Sequence, residues 1–439
     1  MLRRTYIICL ILASIPFNSP ARKIIIDRNN EARKEWFTDM GFGMFIHWSI
    51  DVQLGAIISH NVAVASKDYQ DQYFKELPKT FNPKKFEPEE WTKLAKLAGM
   101  KYMVFTAKHH NGFCMWETKT SEFNIMNSGF GEDILKEIID AFRKYDIAIG
   151  LYFSPDDYYV MYQQGYPSSH NSPESESTRN AALWEFNKKQ LQELLTNYGK
   201  IDMLFIDEKS DWANPLVANY AGDLDPDLLI TRGGMDTPEQ HLPDEPFEGP
   251  WEACDTIGSH WQYVAEEKYE SANTLINLLI ETRAKGGNLL LNVGPDSHGE
   301  IPDRQESRLR EIGLWHMANH ETIEHIRPWE IANENNIWFT RSKDQQSVYA
   351  FVNVPYWNHM EEKAFFIHSM KGSSDTKVSI LGQNDLMMEY LVHRSPKPIF
   401  SVVEEGIFVN VVKAQRLNKT WNNPWVIKFE GVEYQEMYT

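Results

Sequence analysis

The chain has 439 residues, 42% of them hydrophobic and 13% aromatic, with 14 Trp and 19 Tyr. That length supports one large domain with a smaller companion, each with its own core. A formal charge of −18 argues against nucleic acid as a partner, because phosphate binding needs basic surface. It also disfavours strongly anionic glycans, whereas the aromatic load suits the packing of sugar C–H faces on rings.

Met1-Leu-Arg3-Arg4 followed by the apolar stretch Tyr6–Phe17 reads as a secretory signal, too short for a membrane span. Residues 1–21 are therefore expected to be removed on export to the periplasm or medium of a bacterium, with no stable membrane insertion. Cys9 leaves with that segment. The remaining Cys114 and Cys254 are too few for a disulfide framework. The sequon Asn418-Lys419-Thr420 is read as incidental in that setting.

Between about residues 40 and 325 short apolar runs alternate with amphipathic segments. The runs cover residues 43–47, 102–106, 148–153, 201–207, 228–231 and 288–292. Helices are predicted over 88–98, 133–142, 183–195 and 275–282, the first opened by Pro88 and closed by Gly99. Strand–helix alternation of this extent implies a parallel sheet, and a (β/α)8-like barrel over residues 22–330 is the expected form. Six or seven strands are recognisable, so the barrel is irregular if an eighth is missing. After Pro328 short β-rich runs (337–340, 347–352, 364–367, 378–381, 406–412 and 425–429) predict an antiparallel β-sandwich over 331–439.

Five of these runs deliver polar residues at their C-terminal ends: His47 and Trp48, then Lys108 to Asn111, then Tyr152 and Ser154, then Asp207, then Arg232. That end of a barrel is where active sites are built. Taken singly, His47 reads equally as a core histidine, Arg232 as a salt-bridge partner and Asp207 as a loop cap. His109 and His110 are adjacent, and neighbours on an extended strand point to opposite sides. A shared metal ion is therefore not expected, and no cofactor is called for.

The segments Phe45-Ile-His47-Trp48, Ala107-Lys-His-His-Asn-Gly-Phe113, Gly150-Leu-Tyr-Phe-Ser154, Ile201–Asp207, Trp251-Glu252-Ala-Cys-Asp-Thr-Ile257 and Gly286–Pro295 resemble the α-L-fucosidases of glycoside hydrolase family 29. The resemblance runs in order over residues 35–330. It implies a retaining exo-glycosidase that removes terminal α-L-fucose, or the related α-L-galactose, from an oligo- or polysaccharide by double displacement. Asp207 corresponds to the nucleophile, and the Trp-Glu motif places the acid/base at Glu252, with Glu239, Asp244, Glu245 and Glu248 as rival acids. Retention requires the two carboxyl groups about 5–5.5 Å apart. His47, His109, His110, Tyr152 and Arg232 match positions that bind the sugar or the nucleophile, and Trp48 is a further candidate substrate contact.

Three departures stand out. The nucleophile strand reads Phe205-Ile206-Asp207-Glu208 where Trp-Phe-Asp-Gly is common, and His-His-Asp becomes His109-His110-Asn111. A Glu-Trp-Tyr element is replaced by Ile57–Ser66, in which His60 is a substitute sugar contact. These changes point to altered sugar specificity, with α-L-galactosidase activity on an algal-type galactan as the alternative. A catalytically silent glycan-binding barrel is the competing class, and its mark would be a lost carboxylate.

Overall fold

The structure is a computed structural model that describes residues 28–208, 215–415 and 422–436. The signal-like segment, residues 209–214 and the sequon lie outside the described residues. Seven strands form one parallel sheet: β1 Phe42–Ile46, β2 Tyr102–Lys108, β3 Ala148–Phe153, β4 Met203–Ile206, β5 Leu229–Ile230, β6 Glu252–Thr256 and β7 Asn288–Val293. Their order is β5-β4-β3-β2-β1-β7-β6, so β5 and β6 are the edges and the expected barrel is not closed by strand pairing. The irregular segment 235–240 fills part of the gap. Its carbonyls at Asp236 and Pro238 accept from Glu252 N (3.1 Å) and Cys254 N (3.0 Å), and Gln240 N donates to Cys254 O (3.0 Å).

Alternation along the strands sorts the side chains into two cores. Phe45, Tyr102, Val104, Tyr152, Met203, Phe205, Leu229, Cys254 and Leu290 cluster on the concave face. Their neighbours Met44, Ile46, Met103, Phe105, Leu151, Leu204, Ile206 and Leu291 pack on the convex face in the cluster shared with the helices. Period-two side-chain direction explains the division. The predicted helices are present as Pro88–Ala98, Ile134–Lys144, Ala181–Asn197 and Ala272–Ala284. Gly99 closes the first with a left-handed C-cap, as its position suggested. The helix Glu31–Met40 lies at the N-terminal end of the sheet, where Asn288 Nδ2 donates to Phe37 O (2.6 Å) and Phe37 meets Tyr102.

The C-terminal region forms two antiparallel sheets. One contains β8 Ile326–Glu334, β9 Ile337–Ser342, β10 Ser347–Val352, β12 Met370–Ile380 and β15 Trp425–Tyr434. The other contains β11 Glu362–Ile367, β13 Ile399–Val403 and β14 Gly406–Val412. A single apolar cluster takes residues from both, including Phe339, Ala350, Ile367, Ile407, Val409 and Ile427. Pairing of β8 with β9 starts at Ile326, so this region begins slightly before residue 331. Trp315 Nε1 ties it to the first region through Pro424 O at 2.7 Å. Among the described residues no helix is long and apolar enough to cross a membrane.

Candidate active site

The C-terminal ends of β1 to β5 converge on a cleft of about 130 Å³. Two larger surface hollows, of about 470 and 730 Å³, lie beside Trp315 and Trp91, but the strand-end residues line the small cleft. Asp207 sits one residue beyond β4 on the concave parity of Met203 and Phe205. Its Oδ2 accepts from Tyr152 OH at 2.5 Å and faces His110 Nε2 at 3.3 Å. Its Oδ1 accepts from Arg232 Nη1 at 3.1 Å. Burial by itself would raise the Asp207 pKa. The His110 hydrogen bond, the Arg232 charge and the Tyr152 hydroxyl outweigh it and hold the carboxyl well below the usual range. Asp207 is thus an ionised, oriented carboxylate.

A bulge in β2 between Thr106 and Lys108 reorients the end of that strand. Lys108 turns outward to Asp157, Asn187 and Gln190. The chain then turns, with Gly112 N donating to His109 O (3.0 Å) and Gly112 at φ +84°. Both histidine rings therefore enter the cleft, with centroids 4.2 Å apart. The expectation that they diverge is incorrect, because it assumed extended backbone through residue 110. Nitrogens of His109 and His110 and an Asp207 oxygen lie within 4.8 Å of one another, as do ligand atoms of His110, Asp156 and His170. Both nitrogens of His110 already have partners, in Ser154 and Asp207.

His47 hydrogen-bonds Asn292 through Nδ1 (2.7 Å) and stands against Trp261. Burial depresses its pKa to about 3, so the ring is neutral. His109 bonds Ser59 through Nδ1 (2.7 Å), and burial likewise holds its pKa well down. Ser59 is fixed in turn by Asp51, whose Oδ2 accepts from Ser59 N and from Tyr73 OH. This anchors the rebuilt segment carrying His60, which lies at the mouth of the cleft with its ring 6.2 Å from that of His110.

Two predicted residues are elsewhere. Trp48 has the parity opposite to His47 and packs on the convex side against Phe81, Phe86 and Trp91. Its Nε1 donates to Asp296 O (3.0 Å). Glu252 opens β6, at the N-terminal end of the sheet, and is fully buried. It accepts a 2.7 Å hydrogen bond from the hydroxyl of Tyr102, the first residue of β2. Burial raises its pKa to about 7, against the opposing pull of Tyr102. Asp207 and Glu252 thus stand at opposite ends of parallel strands, and the pairing expected from the Trp-Glu motif does not exist.

The second carboxylate of the cleft is Glu239. Its Oε2 accepts from Arg232 Nη2 at 2.7 Å, while Nη1 of the same guanidinium holds Asp207. The side chain is 42% exposed, so it reaches solvent and an incoming ligand. Segment 235–240 carries it there through its bonds to β6. The other rivals, Asp244, Glu245 and Glu248, are exposed and do not line the cleft. Arg232 is steadied by Thr237 Oγ1 and Cys254 Sγ, and the Asp207 charge raises its pKa despite burial. Trp261, Ile57, Ile58, Phe45 and Phe205 complete the walls. Recognising β6 as a strand would have singled out Trp261 as an aromatic just beyond its end.

Comparison with known proteins identifies the family. The α-L-fucosidase family model matches residues 22–321. An α-L-fucosidase of Dictyostelium discoideum is 28% identical over 403 residues, covering 81% of this chain and 84% of the relative. A putative α-L-fucosidase of Caenorhabditis elegans is 29% identical over 413 residues, covering 81% and 83%. The solved structure of α-L-fucosidase isoenzyme 1 from Paenibacillus thiaminolyticus superposes with a TM-score of 0.73 at 27% identity, covering 92% of this chain and 99% of that one. The fold is also that of a Bacteroides thetaiotaomicron family 29 α-L-fucosidase trapped as a covalent intermediate, with a TM-score of 0.70 at 22% identity over 93% and 97% of the chains. The chain belongs to the α-L-fucosidase family, glycoside hydrolase family 29, and is a glycoside hydrolase.

Proposed function

We propose that this protein is a retaining exo-α-L-fucosidase in which Asp207 is the nucleophile and Glu239, rather than Glu252, is the acid/base. The observation that carries the reading is the single Arg232 guanidinium holding one oxygen of each carboxylate. One guanidinium between two carboxyl groups fits the spacing of about 5–5.5 Å that retention needs. Asp207, ionised and aimed by Tyr152, His110 and Arg232, attacks the anomeric carbon. Glu239 protonates the departing oxygen and then takes a proton from the water that resolves the glycosyl-enzyme. His47, His60, His109, His110, Tyr152 and Arg232 are the sugar-binding set, with Trp261 as the apolar platform.

Fucose is the preferred sugar. Phe45, Ile57, Ile58, Phe205 and Trp261 give the small cleft apolar wall for a methyl group, although apolar surface alone discriminates weakly against an added hydroxyl. Ile206 packs on the convex face, so its departure from the family pattern does not touch the sugar. Turnover of aryl α-L-fucoside is expected to exceed that of aryl α-L-galactoside. The reverse order would favour the galactosidase reading, and no turnover of either would support a silent binding barrel. The basic-then-apolar N-terminus supports export with cleavage near residue 21, which the mass of the exported protein checks.

A further inference from the structure

The histidines of the cleft share one geometry. His47, His109 and His110 each have Nδ1 tied to a neutral side chain, namely Asn292, Ser59 and Ser154. Tying one ring nitrogen fixes the ring and directs the other outward. For His110 that other nitrogen faces Asp207.

His170 repeats the arrangement with a different partner. Its Nδ1 meets Oδ2 of Asp156 at 2.5 Å, and Asp156 is only 2% exposed. The Asp156 oxygen fixes the ring through Nδ1 and leaves Nε2 free of it, turned away from Asp156. The His170 ring lies 4.0 Å from that of His110 and 5.8 Å from that of His60. Among the described residues, no hydrogen bond occupies its Nε2.

The side of the nucleophile on which this pair stands is informative. Asp207 Oδ1 faces Arg232 and, through it, Glu239. Asp207 Oδ2 faces Tyr152 and His110, and His110 is the contact of His60 and His170. The leaving group must lie toward its proton donor. His60, which lines the cleft, and His170, outside that lining but against the rings of His60 and His110, therefore stand across Asp207 from the leaving group, on the side of the terminal sugar. We propose that His170, oriented by buried Asp156, is a further sugar-binding residue that, with His60, reads hydroxyls of the terminal residue remote from the bond being broken. The inference rests on the assignment of Asp207 and Glu239 given above.

The test uses free L-fucose, which has no aglycone, together with aryl α-L-fucosides bearing good and poor leaving groups. In H170A, L-fucose binding by calorimetry is expected to weaken about tenfold or more, as for a lost polar contact to a substrate hydroxyl. The value of kcat/KM is expected to fall by the same factor for both leaving groups, with partial recovery in H170Q. D156N, which keeps the size of the acid but can present a donor to Nδ1, is expected to weaken L-fucose binding as well. Unchanged L-fucose affinity in H170A, or a loss confined to the poor leaving group, overturns the role. If H170A does not fold, H170Q and D156N carry the same comparison, and wild-type affinity in both overturns it. Failure of the wild type to bind L-fucose while hydrolysing another glycoside would instead overturn the fucose reading together with this one.

Discussion

Replacing Glu252 by Gln separates the two acids that the sequence made rivals. Glu252 is fully buried beneath Cys254, bonded to Tyr102, and its pKa is raised by burial from 4.5 to about 7. Ionising it in the folded protein is therefore costly. A gap of about 2.5 pKa units corresponds to roughly 3 kcal/mol. The sign follows from proton binding. Between pH 4.5 and 7 the folded state holds the proton that the unfolded state releases, so stability falls as pH rises through that window. The penalty is absent below 4.5 and complete above 7. The amide introduced by E252Q would keep an acceptor for Tyr102 and could not ionise. Urea denaturation of wild type and E252Q at pH 5 and pH 8 is expected to show E252Q gaining about 2–3 kcal/mol relative to wild type between the two, with near-normal turnover of aryl α-L-fucoside. A pH-independent difference, or a loss of activity of about 100-fold or more as for a missing general acid, would refute the placement of Glu252 in the floor of the sheet.

Three further outcomes follow from side-chain placement and backbone geometry. W48F is expected to lower stability by about 2 kcal/mol through lost volume and the lost bond to Asp296 O, with activity retained. W261A is expected to lower kcat/KM about 10-fold or more with little change in the urea midpoint, and the same two assays distinguish them. G112A places a Cβ 2.2 Å from Asp157 Oδ1 at φ +84°. It is expected to destabilise by about 2 kcal/mol or more and to displace both cleft histidines, read as a joint fall in melting temperature and kcat/KM.

Much of this architecture was legible because burial on both faces makes parallel strands into apolar runs. The runs at 102–106, 148–153 and 288–292 became β2, β3 and β7. β6 was not legible as a strand, because Glu252-Ala-Cys-Asp-Thr256 has no apolar run. Without that strand, Glu252 was attached to a motif instead of to the first position of β6, at the wrong end for chemistry. Glu239 was visible only as one acid among several. Its selection depends on segment 235–240 pairing with β6, a long-range contact with no local signature. Trp48 was misplaced for a simpler reason: it adjoins His47, and adjacent residues on a strand face opposite sides. The same rule failed at His109 and His110, where a bulge and a turn intervene. His170 lies in a polar loop where nothing local sets it apart from its neighbours.

The central claim is that Asp207 forms the covalent bond and Glu239 moves the proton. The most direct test is to treat E239Q with 2-fluoro-α-L-fucosyl fluoride and locate the adduct by peptide mass spectrometry. Glu239 is not needed to expel fluoride but is needed to activate the resolving water. The account predicts a stable 2-fluoro-fucosyl ester on the peptide carrying Asp207, and none in D207N. A label on any other carboxylate, or E239Q turning over an aryl α-L-fucoside with a poor leaving group at the wild-type rate, would contradict it.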